Sequence, residues 1–257
     1  MVRRPICLLI SAGALTSLLG ASCGADDSES TTVSGAVTVF AAASLTAAFT
    51  DIGAAFMVDI ADTTVTFNFA ASSELVAQIG QGAPADVFAS ADLNNMSKLT
   101  DAGSTVTEPV VFATNVAEII VEPGNPLRIT GVADLANEEL IVVLCAPEVP
   151  CGAYAAQILE NAGVTVTPKS LEENVKAVVT KVMLGEADAG IVYATDVIAA
   201  GSDAAGVMIP AGINVAAEYP IAVTKEATNR EGAQAFVDFV ASDRGQRILA
   251  SYGFLAP

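Results

Sequence analysis

The sequence predicts an α/β fold built on a mainly parallel sheet with helices on both faces. Apolar runs with strand character alternate with helical patterns along the chain, and 53% of its 257 residues are hydrophobic. Such alternation is typical of parallel sheets, because the connection between two parallel strands is usually a helix. A chain of this length forms one large domain or two lobes with separate cores.

The first two predicted strands are each followed by a predicted helix. The first strand covers residues 36–40, and the second covers residues 64–69. The helix after the first strand repeats apolar side chains every 3.6 residues. These side chains are Leu45, Ala48, Phe49, Ile52 and Phe56. The helix after the second strand carries Leu75, Val76 and Ile79.

The same alternation continues to the C-terminus. Further strands are predicted at residues 87–89, 117–121, 140–144, 190–192 and 221–223, and further helices at residues 152–162, 174–185 and 230–251. Two short links, residues 110–115 and 216–220, are predicted to cross between lobes. We therefore expect residues 36–114 and 217–257 to form lobe 1, and residues 115–216 to form lobe 2.

The N-terminus predicts export from the cytoplasm. Arg3 and Arg4 precede an apolar stretch and then small residues, the pattern of a secretory signal peptide over residues 1–22. No apolar stretch after it reaches the roughly 20 residues that span a bilayer. We therefore expect an exported protein.

Cys23 is predicted to be lipidated. Residues 19–23 resemble a bacterial lipobox, although Gly20 stands where Leu is usual, and residues 23–35 form a polar tether. The alternative is an ordinary cleavage site near Ala21 that leaves Cys23 as a free thiol. Lipidation predicts a cell-envelope lipoprotein, held to the membrane at the outer face of the cytoplasmic membrane or in the periplasm.

The strong negative charge excludes a nucleic-acid partner. After residues 1–22 the chain has 29 acidic residues against 11 less 2 basic ones, a net charge of −20. Binding to a phosphate backbone depends on clustered Lys and Arg, which this chain lacks. We interpret the acidity as a solvated surface that maintains solubility, with a cation-collecting face as the alternative.

Cys145 and Cys151 are the cysteines that remain after Cys7 and Cys23 are assigned to the signal and the lipid. They are six positions apart in a protein predicted to reach an oxidising compartment, which favours a disulfide. A metal site is the competing interpretation. Two thiolates in a chain without histidine fall short of a four-ligand zinc shell.

Four short segments place small polar groups where a strand meets a helix, and none contains a cation. They are residues 40–44, 69–73, 150–154 and 190–193. Helix N-termini present unpaired N–H groups and a positive dipole end, which can hold an anion. For Ser44 and Ser72 the alternative is a helix N-cap. For Tyr193 it is a half-buried core tyrosine.

Seven motifs together resemble the periplasmic molybdate-binding proteins of ABC importers. The resemblance spans about residues 36–254. The motifs are residues 39–46, 69–73, 82–88, 150–154, 173–175, 190–196 and 218–221. It implies a type II periplasmic-binding-protein fold, whose two lobes close around a tetrahedral oxyanion in the cleft between them.

The resemblance also implies a set of ligand-binding residues and partners. Carried over onto this sequence, the residues that hold the oxyanion are Ser44, Ser72, Cys151, Val175 and Tyr193. Cys151 stands where the family usually has alanine, and that position contributes its backbone N–H. The implied ligand is molybdate or tungstate and the implied partner is a membrane permease. We expect a monomer with no cofactor and no directly bound metal.

The second hypothesis for the function of this protein is that it is an enzyme. The chain has no histidine, which removes the common general base and the Ser-His pairing. We therefore expect no catalytic activity. The alternatives to molybdate uptake are a receptor for another tetrahedral oxyanion, such as sulfate, and an extracytoplasmic sensor lipoprotein on the same fold.

Overall fold

A nine-stranded mixed sheet organises the protein. The structure, a computed structural model, describes residues 33–257. Its strands are β1 (Gly35–Ala42), β2 (Thr63–Ala70), β3 (Val87–Ala89), β4 (Val110–Val121), β5 (Val142–Cys145), β6 (Ser170–Glu172), β7 (Ala189–Tyr193), β8 (Ala205–Met208) and β9 (Ala216–Val223). The predicted signal peptide and Cys23 lie outside the described residues.

Eight α-helices connect these strands or follow them. They are α1 (Thr46–Asp59), α2 (Ser72–Gly80), α3 (Leu93–Asp101), α4 (Pro150–Ala162), α5 (Val175–Met183), α6 (Ala194–Ala200), α7 (Arg230–Ala241) and α8 (Asp243–Ser251). A short 3-10 helix, Ala43–Leu45, leads from β1 into α1. Within residues 33–257, no helix has both the length and the apolar character that a bilayer crossing requires.

The strand order is β2-β1-β3-β9-β4-β7-β5-β6, and β8 pairs with β4. β1 runs parallel to β2 and β3, and β5 runs parallel to β6 and β7. Between these two groups, β9 is antiparallel to β3 and β4, and β4 is antiparallel to β7. The α/β class is confirmed, but a mainly parallel sheet is wrong for the centre.

The antiparallel centre arises from the two segments predicted to be short links. Residues 110–115 belong to β4 and residues 216–220 to β9, and these strands pair with each other. Backbone N–H and C=O groups that leave water need hydrogen-bond partners, and the two passages of the chain supply them to one another. Local sequence pattern does not reveal this pairing.

The apolar pattern of α1 packs as predicted. Its buried side chains include Ala48, Phe49, Ile52 and Phe56. Phe49 contacts the ring of Phe236 from α7 at a centroid distance of 6.0 Å. Burying large aromatic side chains contributes strongly to stability, so this contact fixes the helices that follow β1 and β9.

The helix predicted over residues 230–251 is interrupted at Ser242. That residue has extended backbone angles, and its side chain accepts a hydrogen bond from the N–H of Gly245, which starts α8 as a separate helix. A serine N-cap of this kind stabilises a helix start by about 1 kcal/mol. The sequence analysis also did not predict α3, α6, β6 and β8.

Candidate functional site

A small cavity lies where the carboxyl ends of six strands converge. Segments that follow β1, β2 and β3 form one wall, and segments at or after the ends of β5, β6 and β7 form the other. Ligands of open α/β sheets bind at this edge. The cavity has a volume of about 20 Å³. One buried water needs about 10–15 Å³ by the same measure, so the space suits one small ion.

All five predicted ligand-binding residues line this cavity. Ser44, Ser72, Cys151, Val175 and Tyr193 come from five separate segments of the chain, and the fold brings them together. The cavity is therefore the candidate site.

Ser44 and Ser72 do not cap helices. Ser44 lies inside the 3-10 helix, whose N-cap is Ala42, and Ser72 is the first residue of α2, whose N-cap is Ala71. Neither helix start has a side-chain capping bond. The N-cap interpretation is therefore wrong for both, and their buried hydroxyls remain available to the cavity.

Hydrogen bonds orient the two hydroxyls from behind. Ser72 Oγ accepts the backbone N–H of Ala91 at 3.0 Å. Ser44 Oγ lies 3.1 Å from the hydroxyl of Tyr219. An oxygen that already accepts one hydrogen bond is polarised to donate its own proton. Ser72 is thus arranged to donate toward the cavity, whereas in the Ser44–Tyr219 pair either hydroxyl can be the donor.

Tyr193 contributes a hydroxyl with an unmet hydrogen-bonding capacity. The residue is 3% exposed, and its Oη has no hydrogen-bond partner within residues 33–257. Burial raises the pKa of Tyr193 well above its ordinary value, and the neighbouring Tyr219 adds to that shift. The phenol therefore stays protonated and can act as a neutral donor. A buried polar group left unpaired costs about 1–3 kcal/mol, so this hydroxyl needs an acceptor.

Two helices begin at the cavity wall, and Cys151 and Val175 from their first turns line it. α4 begins with Pro150, which has no N–H, so Cys151 offers the first donor of that helix. α5 begins with Val175, and the side chain of Asn174 accepts the N–H of Ala177 at 3.1 Å. The N–H of Val175 has no acceptor within the helix, as is general for first-turn N–H groups.

The electrostatics of the site come from dipoles. Among the described residues, those that line the cavity include no Lys, Arg, Asp or Glu. Lys176 is adjacent to Val175, but its Nζ lies 2.8 Å from Oδ1 of the buried Asp196. Complete burial raises the pKa of Asp196, while Lys176 opposes that shift. The charge of Lys176 is therefore compensated by Asp196. The positive potential at the cavity comes from the N-terminal ends of the helix dipoles.

Cys145 and Cys151 lie side by side at one wall. Their Cα atoms are 5.7 Å apart and their sulfurs are at bonding distance. A cross-link at this point joins the end of β5 to the first turn of α4. The cross-link restrains the backbone of Cys151, which lines the cavity. Because the bond is made by the side-chain sulfur, it does not use the backbone N–H of Cys151.

Sequence reasoning missed the residues that support the site from behind. Tyr219 is fully buried on β9, although residues 218–221 belong to a motif of the resemblance. Tyr154 lies on α4, and its hydroxyl approaches the carbonyl of Ala91 at 3.4 Å. The sequence did carry one signal, since three of its four tyrosines fall in motifs of the resemblance. Only folding reveals that the rings of Tyr154, Tyr193 and Tyr219 meet edge-on in one row.

The candidate site is therefore a small cavity lined by neutral groups, among them three buried hydroxyls and the first turns of two helices. The sequence profile of the bacterial extracellular solute-binding proteins matches residues 37–255. This chain therefore belongs to that family.

One curated relative extends the comparison over most of the chain. The molybdate-binding protein ModA of Mycobacterium tuberculosis is 42% identical over 221 residues, which cover 86% of this chain and 85% of the relative.

Two solved structures share the fold. The periplasmic molybdate-binding protein of Azotobacter vinelandii superposes with a TM-score of 0.76 at 20% identity, over 86% of this chain and 99% of that one. The sulfate-binding protein SubI of Mycobacterium tuberculosis superposes with a TM-score of 0.78 at 20% identity, over 86% of each chain. The fold is that of periplasmic binding proteins, and at this level of identity it does not distinguish the two anions.

Proposed function

We propose that this protein captures molybdate or tungstate outside the cytoplasm and delivers it to the permease of an ABC importer. The observation that carries the proposal is the unpartnered hydroxyl of Tyr193, buried in a cavity where Ser44 and Ser72 also present hydroxyls. A tetrahedral oxyanion supplies the acceptors that these donors lack. The bound anion is held by Ser44, Ser72, Cys151, Val175 and Tyr193.

Neutral donors supply enough energy to bind a dianion. A hydrogen bond to a charged partner contributes about 1.5–3 kcal/mol, so five donors together offset much of the cost of removing the anion from water. Helix dipoles add to this without a counter-ion. The lack of a cation also favours release, which a carrier needs when it meets the permease.

The function of the more similar relative favours molybdate over sulfate. The 42% identical ModA protein is named for molybdate, whereas the sulfate-binding SubI shares only the fold. An extracytoplasmic sensor remains the alternative on the same site. It would bind the same anion but would not need a permease.

Ligand exchange in this proposal proceeds by hinge closure. Lobe 1 comprises residues 36–114 and 217–257, and lobe 2 comprises residues 115–216. The support is the topology, since β4 and β9 join the two parallel groups of strands whose ends form opposite walls of the cavity. Bending at these two strands opens the cavity to solvent.

The remaining parts of the proposal concern the cell envelope. A signal peptide over residues 1–22 exports the chain, and an acylated Cys23 holds the mature monomer at the membrane through the tether of residues 23–35. Cys145 and Cys151 are oxidised to a disulfide. Neither a cofactor nor a catalytic step enters the mechanism.

A thermal-shift screen of the anion-free protein tests the function. The panel is molybdate, tungstate, sulfate, phosphate and nitrate at matched ionic strength. We expect molybdate and tungstate to raise the melting temperature, because a ligand at 100 times its Kd adds about 2.7 kcal/mol of stability. No shift with either anion would contradict the proposal, and a shift with sulfate alone would reassign the ligand.

A further inference from the structure

Tyr219 contacts Ser44 but does not line the cavity. It is 0% exposed, and its Oη lies 3.1 Å from Ser44 Oγ although the two residues are 175 positions apart. Ser44 lines the cavity and Tyr219 does not. The hydroxyl of Tyr219 is therefore linked to the cavity by its hydrogen bond to the serine.

Only one direction of this hydrogen bond is compatible with a bound anion. The hydroxyl of Ser44 has a single proton, and an oxyanion accepts hydrogen bonds but does not donate them. When Ser44 donates to the anion, its oxygen must accept from Tyr219. The tyrosine proton then stabilises the serine orientation in which its own proton points into the cavity.

We propose that Tyr219 is a positioning residue for the oxyanion, which acts by donating its hydroxyl proton to Ser44 Oγ. This inference rests on the proposed function and deepens it. It assigns the orientation of one ligand-binding hydroxyl to a strand, β9, that contributes no residue to the cavity wall.

The surroundings of Tyr219 hold its hydroxyl in place. Its ring meets Phe254 edge-on at a centroid distance of 5.4 Å and Tyr193 at 6.0 Å. Its strand pairs with β3 on one side and with β4 on the other. Burial raises the pKa of Tyr219, so the phenol keeps its proton.

A double-mutant cycle tests the inference with molybdate as the probe. Tyr219→Phe keeps the buried ring and removes only the hydroxyl. We expect it to weaken molybdate binding about five- to tenfold in the wild-type background, the effect of one hydrogen bond of about 1 kcal/mol. In the Ser44→Ala background the same change is expected to alter affinity less than about twofold, because the partner is absent.

Tyr252→Phe is the matched control. The hydroxyl of Tyr252 donates to Asp51 on the exposed surface at 2.6 Å, so this variant loses a tyrosine hydrogen bond away from the cavity. Its affinity for molybdate is expected to equal that of the wild type. Circular dichroism and a thermal melt without anion establish that each variant is folded.

Tyr219→3-fluorotyrosine provides a second measurement if the phenylalanine variant does not fold. The fluorinated phenol is a stronger donor in nearly the same volume, so it is expected to tighten molybdate binding at pH 6. Equal losses from Tyr219→Phe in both backgrounds would overturn the positioning role, as would unchanged affinity in either Tyr219 variant. A wild-type protein that binds no molybdate would instead overturn the proposed function, and this inference with it.

Discussion

The backbone N–H of Ala91 donates to Ser72 Oγ at 3.0 Å, inside the wall of the cavity. Ala91 follows β3 and Ser72 follows β2, so this bond ties together the ends of the two strands that flank β1 in the sheet. It uses a lone pair of the serine and leaves the proton free. Ser72 is therefore a structural acceptor whose own proton remains available on the cavity side.

Ser72→Ala should therefore weaken both binding and stability. Loss of a hydrogen bond to a charged ligand costs about 1.5–3 kcal/mol, which lowers molybdate affinity by about ten- to a hundredfold. The unpaired N–H of Ala91 should lower the unfolding free energy without anion by about 1–3 kcal/mol. Calorimetric titration and urea denaturation measure the two effects.

Ser73→Ala is the control for that variant. Ser73 is the next residue on α2, it is half-buried, and it does not line the cavity. Its affinity for molybdate should match the wild type. A Ser73 variant as weak as the Ser72 variant would contradict the assigned site.

Tyr193→Phe should separate binding from stability. The hydroxyl of Tyr193 has no partner within residues 33–257, so its removal relieves an unsatisfied buried group. We expect the unfolding free energy without anion to stay equal or to rise by up to about 3 kcal/mol, while molybdate affinity falls. Denaturation curves with and without molybdate test this. A marked loss of stability in the anion-free variant would show that the hydroxyl serves the fold.

The pair Cys145 and Cys151 should be oxidised in the exported protein. Its sequence separation is six, and a loop this short predicts a stabilisation of about 2–3 kcal/mol on chain-entropy grounds. Replacing both cysteines with alanine should lower stability by that amount and leave molybdate binding nearly unchanged, because Cys151 offers its backbone N–H. Thiol counting by mass spectrometry on unreduced protein that finds two free thiols would refute the pairing.

Selectivity should follow from the neutral character of the site. The cavity lining within the described residues has no carboxylate to accept the O–H of hydrogen phosphate, so phosphate is rejected. Sulfate has no proton but shorter bonds to oxygen, which leaves some donors beyond hydrogen-bond range. We expect tight binding of molybdate and tungstate, weak binding of sulfate and none of phosphate. Calorimetry that finds sulfate and molybdate equally tight would disprove the ligand assignment.

Cys23→Ala should release the protein from the membrane fraction. Cys23 is the predicted acylation site, and without an acyl chain the tether of residues 23–35 has no affinity for lipid. Molybdate binding should not change, because the cavity lies wholly within residues 33–257. Fractionation of cells that express each form provides the measurement. Equal membrane partitioning of both forms would remove the lipid anchor from the proposal.

The local pattern of the sequence was sufficient for the first three strands and the first helices. β1, β2 and β3 were predicted to within two residues. β3 is a short, fully buried apolar run, whereas β2 at the edge of the sheet has polar and apolar residues in alternation and is mostly half-buried or exposed. The five residues of the candidate site were also named from the sequence. They were carried over from the resemblance to the molybdate-binding proteins, through short motifs that lie at or after the ends of strands.

Tertiary structure alone decided how those elements are paired and oriented. β4 and β9 are about 100 positions apart and run antiparallel, and no local periodicity specifies a partner at that distance. The same holds for the hydroxyls of Ser44 and Tyr219, which meet across 175 positions. The sequence by itself determined which polar groups the chain carries and which strands and helices they adjoin. The packing of β9 decided that the hydroxyl of Tyr219 lies within hydrogen-bond distance of Ser44, because a hydrogen bond depends on the positions of both partners.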